Sequence, residues 1–303
     1  MLCVLVGIML VGLYSSCFAS AEEKGQAAIR KLACTDVRSC ESKIREAEQG
    51  HAENAALATL YQAFANAEHN VGNLPKAESA MRHAAKLLRD GQQDTLADVL
   101  TQLATLHVES GNPHASEKEL DRVLRIREKL GNPVNLALAW DDIADLNLRL
   151  GRFDDALGYA ERANVVLRND PRVSLKDRIA TRQTLGNALC RTGSYERAIT
   201  LLSQAAEMAE SEIGRDTVDA GVAKFLLGSA YWHSGRMDAA STWMADGIES
   251  LRHSTAWGRA PYLHALTEYV QFLRARGDTD AERTAEGDIV AAQATVSVAA
   301  LSR

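Results

Sequence analysis

The chain has 303 residues and a net charge of −6, with both signs of charge interspersed and no long run of either. Nucleic-acid binding is disfavoured, because it usually shows as a basic stripe or patch. Aromatic residues make up only 5%. Together with abundant alanine, this points away from a core of bulky rings and toward helices packed closely through small side chains.

The first segment stands apart. Leu2 to Tyr14 is almost wholly apolar and is followed by the small residues Ala19-Ser20-Ala21. The run is too short to span a bilayer comfortably. It reads as a signal peptide over residues 1–21, with maturation near Glu22, although no Lys or Arg precedes the apolar run. The expected location is therefore exported, periplasmic or secreted, with no stable membrane span once the signal is removed. A lipid anchor at Cys17 and an uncleaved N-terminal anchor are the lesser alternatives. Tyr14 stands where a lipidation motif wants leucine.

Residues 22–57 read as helical without a clear repeat, an N-terminal cap or a degenerate repeat. Ala27, Ile29, Leu32 and Ala33 give one apolar face; Ile44 and Ala47 give another. Cys34 and Cys40 could close a small disulfide loop in an oxidising compartment. Two free thiols are the alternative, and if both cysteines were helical they would face different ways. Cys190 has no partner in the pattern and reads as a small filler.

From residue 58 a period takes over. Gly72, Gly111, Gly151, Gly193, Gly235 and Gly277 are spaced by 39, 40, 42, 42 and 42 residues. A fixed period of this length signals stacked repeats. Around Gly193 the apolar residues fall three or four apart on both sides, which predicts two helices hinged at the glycine. Glycine suits the helix end because it takes the left-handed conformation without a Cβ clash. Ser194 is the expected N-cap of the second helix, with Asn73, Asn112 and Asp278 in the same slot. Small residues recur where helices must meet: Ala65, Ala104, Ala144, Gly186 and Gly228 in the first helices, Ala77, Ser116, Ala156, Ala198 and Ala240 in the second. The sixth unit breaks the pattern with Val270 and Glu282, as a terminal cap does. Six helix pairs are expected over residues 58–290, with a tail over 291–303.

Trp140, Leu185-Gly186, Leu227-Gly228 and Tyr231, with Phe153 and Tyr195 after the glycines, resemble the tetratricopeptide repeat, whose pattern is W-x2-L-G-x2-Y, glycine, aromatic, Ala, Ala. The longer period, and Ile126-Arg127-Glu128-Lys129-Leu130-Gly131-Asn132-Pro133, resemble the branch that includes kinesin light chains and related bacterial proteins. Gly214-Arg215-Asp216-Thr217-Val218-Asp219 departs from that branch, lacking its His-Pro. The resemblance implies an all-α, right-handed superhelical solenoid of antiparallel helix pairs.

It also implies a partner site. In that family the first helices line a concave groove that receives another protein or peptide. By register the groove residues here are Gln62 and Asn66; Asp141, Asp145 and Arg149; Gln183, Asn187 and Arg191; Phe225, Ser229, Trp232 and His233; and Gln271 and Arg274. His69 holds an equivalent place in the first unit. Arg149, Arg191 and His233 would form a ladder able to meet carboxylates. Phe225 and Trp232 would supply an apolar anchor. The clamp that holds chaperone tails is not matched, since Gln62 stands where it needs lysine.

No catalytic motif is found: no H-E-x-x-H, P-loop, G-x-S-x-G or C-x-x-C. The histidines are scattered without ligand spacing, so no metal and no cofactor are expected. Asp141-Asp142 with Asp145 reads as a solvated face. The expected function is a non-enzymatic interaction scaffold; a peptide- or small-ligand-sensing regulatory module is the alternative.

Overall fold

In a computed structural model of the chain, the structure describes residues 34–88, 92–254 and 259–301. The expected signal peptide, its cleavage site and Cys17 lie outside the described residues. Thirteen α-helices and no strands occur among those described. A leading helix, α1 (Val37–Gln49), precedes six pairs: α2 (Asn54–Asn70) with α3 (Leu74–Leu87), α4 (Gln93–Glu109) with α5 (Pro113–Leu130), α6 (Pro133–Arg149) with α7 (Phe153–Leu167), α8 (Leu175–Arg191) with α9 (Tyr195–Glu212), α10 (Val218–His233) with α11 (Met237–His253), and α12 (Arg259–Arg276) with α13 (Thr279–Leu301). The architecture is an all-α solenoid of helix pairs. The last helix continues through the tail as far as Leu301.

All six periodic glycines adopt positive φ, between 74° and 85°. Each closes its first helix in the same way. At Gly193 the Ser194 N–H donates to the Leu189 carbonyl at 2.8 Å and the Gly193 N–H to the Cys190 carbonyl at 3.1 Å. This doubled closure is the Schellman pattern, which satisfies carbonyls the helix would otherwise leave open. The expected capping side chains divide. Asn112 accepts from the Ala115 N–H at 3.2 Å and Asp278 from the Ala281 N–H at 3.3 Å. Ser194 and Asn73 make no side-chain cap: there the glycine closure alone sets the turn.

The recurring small residues are the points of contact. Ala104, Ala144, Ala156, Ala198 and Ala240 are fully buried. The approach is closest in the fourth and fifth pairs. A Cβ on Gly186 would lie 2.5 Å from the Leu202 side chain, and one on Gly228 would lie 2.6 Å from the Met244 backbone nitrogen. Leu202 is fully buried in the resulting seam, which contributes about 2 kcal/mol. In the sixth pair, where Glu282 replaces the small residue, Arg274 reaches across to it at 2.7 Å. An ion pair substitutes there for backbone approach.

The described residues divide inside α4 into two compact units, one ending at Leu103 and the other beginning at Ala104. In the N-terminal unit α2 packs between α1 and α3. Tyr61 donates to Glu48 at 2.8 Å and stacks on His83 with ring centres 4.3 Å apart. Cys34 and Cys40 are joined by a disulfide. Cys34 lies ahead of the N-cap Asp36, outside the helix, so the two sulfurs need not share a helical face. In the C-terminal unit the first helices α6, α8, α10 and α12 lie side by side in sequence order. They build the face on which the expected partner residues of that unit fall.

Candidate functional site

The floor of this face is polar and tightly held. Gln183 donates its side-chain amide to the Asp219 carbonyl at 2.8 Å, stapling α8 to the first turn of α10. Ser229 donates to Glu268, joining α10 to α12. Asp141 is only 8% exposed and so does not belong to a solvated face. One of its oxygens lies 3.5 Å from the Thr184 hydroxyl, and the other has no hydrogen-bond partner. Burial, reinforced by Asp142 and Asp145, holds this carboxyl well above the usual range.

The expected cationic ladder is not uniform. Arg149 is engaged by Asp145 at 2.8 Å and by Glu109 at 3.8 Å. Outside the ladder, the expected groove residue Arg274 is engaged by Glu282 and Glu286 of the last helix. Arg191 differs. Its guanidinium lies 4.7 Å above the Phe153 ring and makes no ion pair among the described residues. One period on, His233 is exposed and stacks on Trp232 with ring centres 4.9 Å apart. Partial desolvation of the ring, which keeps only part of its surface in water, and the nearby Arg191 lower its pKa, with Glu268 opposing.

Between these rungs Asn187 is half-buried, and its amide has no hydrogen-bond partner among the described residues. Gln271 is exposed on α12. Among the described residues Gln62 and Asn66, on α2 of the N-terminal unit, also leave their amides unengaged. Trp232 is half-buried, edge-on to Phe272 at 5.6 Å, and keeps part of its ring in solvent.

Phe225 departs from expectation. It is 3% exposed and packs in the core with Met244, Ile248 and Leu251. A Cβ on Gly247 would stand 2.7 Å from the Phe225 backbone nitrogen. The close crossing of α10 and α11 turns this position inward, so Trp232 is left as the aromatic on the face. Cys190 is buried, and its thiol is pushed up to about 12 by burial, with Glu268 adding to it. Such a thiol is a poor nucleophile.

Lys224 was not singled out by the sequence pattern. It is completely buried. Its ammonium pairs with Glu210 of α9 and, at 3.1 Å, with Asp246 of α11, and donates to Ser250 at 3.3 Å. One signal was available. Lys224 stands four residues before Gly228, as Trp140 stands four before Ala144. That slot faces the neighbouring helices, where a lysine demands counter-charges.

Among the described residues no group of His, Cys, Asp and Glu side chains could hold a metal ion. No described helix is long and apolar enough to cross a membrane.

Comparison with known proteins agrees with the geometry. Residues 95–163 and 177–253 match the family model of the tetratricopeptide repeat. No curated protein matches the sequence. Among solved structures, the apo form of RapI superimposes with a TM-score of 0.69 at 13% identity, covering 90% of this chain and 96% of that one. A Rap protein complexed with Competence and Sporulation Factor gives 0.60 at 15% identity, covering 85% and 80%. BtubC (BKLC) from P. vanneervenii gives 0.53 at 16% identity, covering 76% and 92%. At these identities the likeness concerns the fold. With the period, the glycine closures and the family match together, the repeats of this chain are tetratricopeptide repeats of the long-repeat type.

Proposed function

We propose that this protein is a non-enzymatic scaffold of an exported compartment, and that its first-helix face holds an extended or helical segment of another protein. The observation that carries this reading is the open chemistry where α8 meets α10. Among the described residues Asn187 keeps an unengaged amide, and Arg191 has no carboxylate partner for a guanidinium that rests on Phe153, beside the partly exposed rings of Trp232 and His233. An amide can both donate to and accept from a peptide backbone. A guanidinium can take a carboxylate through two parallel hydrogen bonds. An aromatic beside them supplies the apolar contact that dominates many interfaces. The surrounding groups are tied into internal bonds, so the receptor side is preorganised and loses little freedom on binding.

Export is supported by the Cys34–Cys40 disulfide, because such bonds persist in oxidising compartments. The apolar stretch Leu2 to Tyr14 supports it as well.

The test is capture from the envelope fraction of the native organism. The tagged full chain is compared with an Asn187→Ala/Arg191→Ala variant that melts at the same temperature. A partner held by the wild type and lost by the variant supports the reading. Equal capture by both moves the site off this face.

A second reading is a ligand-sensing regulatory module. It is favoured by the fold shared with the Rap protein that was solved with Competence and Sporulation Factor. Small-angle scattering separates the two. A sensor changes its radius of gyration on binding ligand, whereas a rigid scaffold does not.

A further inference from the structure

On the second-helix side of the C-terminal unit lies an open surface cleft with room for about 330 Å3, called the cavity below. It is lined by Ser203, Ala206, Glu207, Glu210 and Ser211 of α9 and by Trp243 of α11. The five α9 residues fall three, four, seven and eight apart, which puts them on one stripe of the helix. Ala206 is buried, and Trp243 is half-buried against the core formed by Ala198, Ile199 and Leu202.

The charges around this cavity do not balance. Glu210 is drawn to Lys224 from the interior, Lys224 also pairs with Asp246 at 3.1 Å, and Arg215 holds Asp246 at 2.8 Å. Two cations thus answer Glu210 and Asp246. Glu207 makes no ion pair among the described residues and faces solvent. The Ser211 hydroxyl donates to the Glu207 carbonyl at 2.8 Å, so its oxygen offers only lone pairs to anything in the cavity. Carboxylate oxygens, a hydroxyl acceptor and the indole ring therefore line one space.

We propose that this cavity is a binding site for a small organic cation, an alkylammonium head group. The lining is rich in acceptors, and one added positive charge would answer Glu207. Trp243 offers the indole that cations favour. An anion would meet two carboxylates. The volume lies at the lower end for ligand sites and suits one head group rather than a folded segment. The site is separate from the first-helix face and does not depend on what that face binds.

The chemistry has two sources, a lysine of a partner protein or a free methylated ammonium, and one experiment separates them. In the full chain labelled with 15N-tryptophan, the indole N–H of Trp243, assigned with Trp243→Phe, is followed during titration. The probes are Nα-acetyl-lysine amide and choline chloride, each against sodium chloride at the same ionic strength. A saturable shift is expected with at least one probe. Glu207→Gln, on the surface and without effect on melting, should weaken it about tenfold, as loss of a charged contact does. A response to the lysine derivative alone identifies a partner's side chain, and a response to choline alone a free methylated amine. Shifts no larger than with sodium chloride, or unchanged in Glu207→Gln, overturn the proposal.

Discussion

Lys224 Nζ lies 3.1 Å from Asp246 Oδ2 across the α10–α11 seam, and the lysine side chain is entirely out of solvent. Taking an ammonium out of water is costly, and the cost is offset only where counter-charges and hydrogen bonds are in place. Glu210, Asp246 and Ser250 supply them from the helices on either side. The lysine ties α9, α10 and α11 together.

Breaking this network should therefore destabilise the C-terminal unit. Glu210 and Asp246 keep partial contact with water, so removal of the lysine leaves them less stranded than two fully buried charges. Lys224→Ala should lower stability by about 3 kcal/mol, the lower end for a broken buried pair plus its cavity. Lys224→Met, which preserves the volume, should cost less. Denaturant unfolding followed by circular dichroism checks both, and an unchanged midpoint for Lys224→Ala would remove the structural role given to the network.

Two aspartates should respond to pH with opposite signs. For Asp246, burial alone would raise the pKa, but hydrogen bonds from Arg215 and Lys224 outweigh it and hold the group below its usual 3.8. A depressed folded-state pKa gives stability that is present above the unfolded value and lost as pH falls through the folded one. Asp246→Asn should thus flatten the loss of stability in acid. For Asp141 the folded pKa is raised, first by burial and then by Asp142 and Asp145. Its contribution is favourable below 3.8 and lost as pH rises through the folded value. Asp141→Asn should match the wild type in strong acid and be more stable at neutral pH, by about 1–3 kcal/mol for relief of a poorly satisfied buried group. Urea midpoints measured across the acid range would reveal both trends.

The glycines should divide into two classes under alanine substitution. A Cβ on Gly247 would meet the Phe225 nitrogen at 2.7 Å and the Gly221 carbonyl oxygen at 2.9 Å, and backbone cannot move aside cheaply. Gly247→Ala should cost about 3 kcal/mol by forcing α10 and α11 apart. Gly158 is exposed on α7, and a Cβ there meets nothing within 4 Å. Gly158→Ala should stabilise by about 0.5–1 kcal/mol through helix propensity. Thermal melts of the two single variants give the comparison.

On the first-helix face, Arg191 and Arg149 hold equivalent places one period apart, yet of the two only Arg149 is matched by carboxylates among the described residues. Once a partner is identified, Arg191→Ala should reduce its affinity by about tenfold, and Arg149→Ala by less than about threefold. Equal losses from both would mean that the ladder acts as a whole rather than at its open rung. Titration calorimetry with the purified partner distinguishes the outcomes.

The repeat architecture was legible in the sequence because it depends on local and periodic requirements. A left-handed backbone at the end of each first helix calls for glycine, and six glycines at nearly constant spacing declare the turns. Close helix contacts call for small residues at a fixed offset, which Ala144, Gly186 and Gly228 declare for the seams. Register also placed Asn187, Arg191 and His233 on helices that lie side by side. Repeat register could not say which side chains are already engaged, because that depends on neighbours brought together by packing. The close crossing at Gly247 drew Phe225 into the core, Glu109 and Asp145 engaged Arg149, and Glu282 and Glu286 engaged Arg274. The most demanding case is Lys224, a charge wholly inside the fold. Its counter-charges sit on α9 and α11, and only the stacking of three helices brings them to one point.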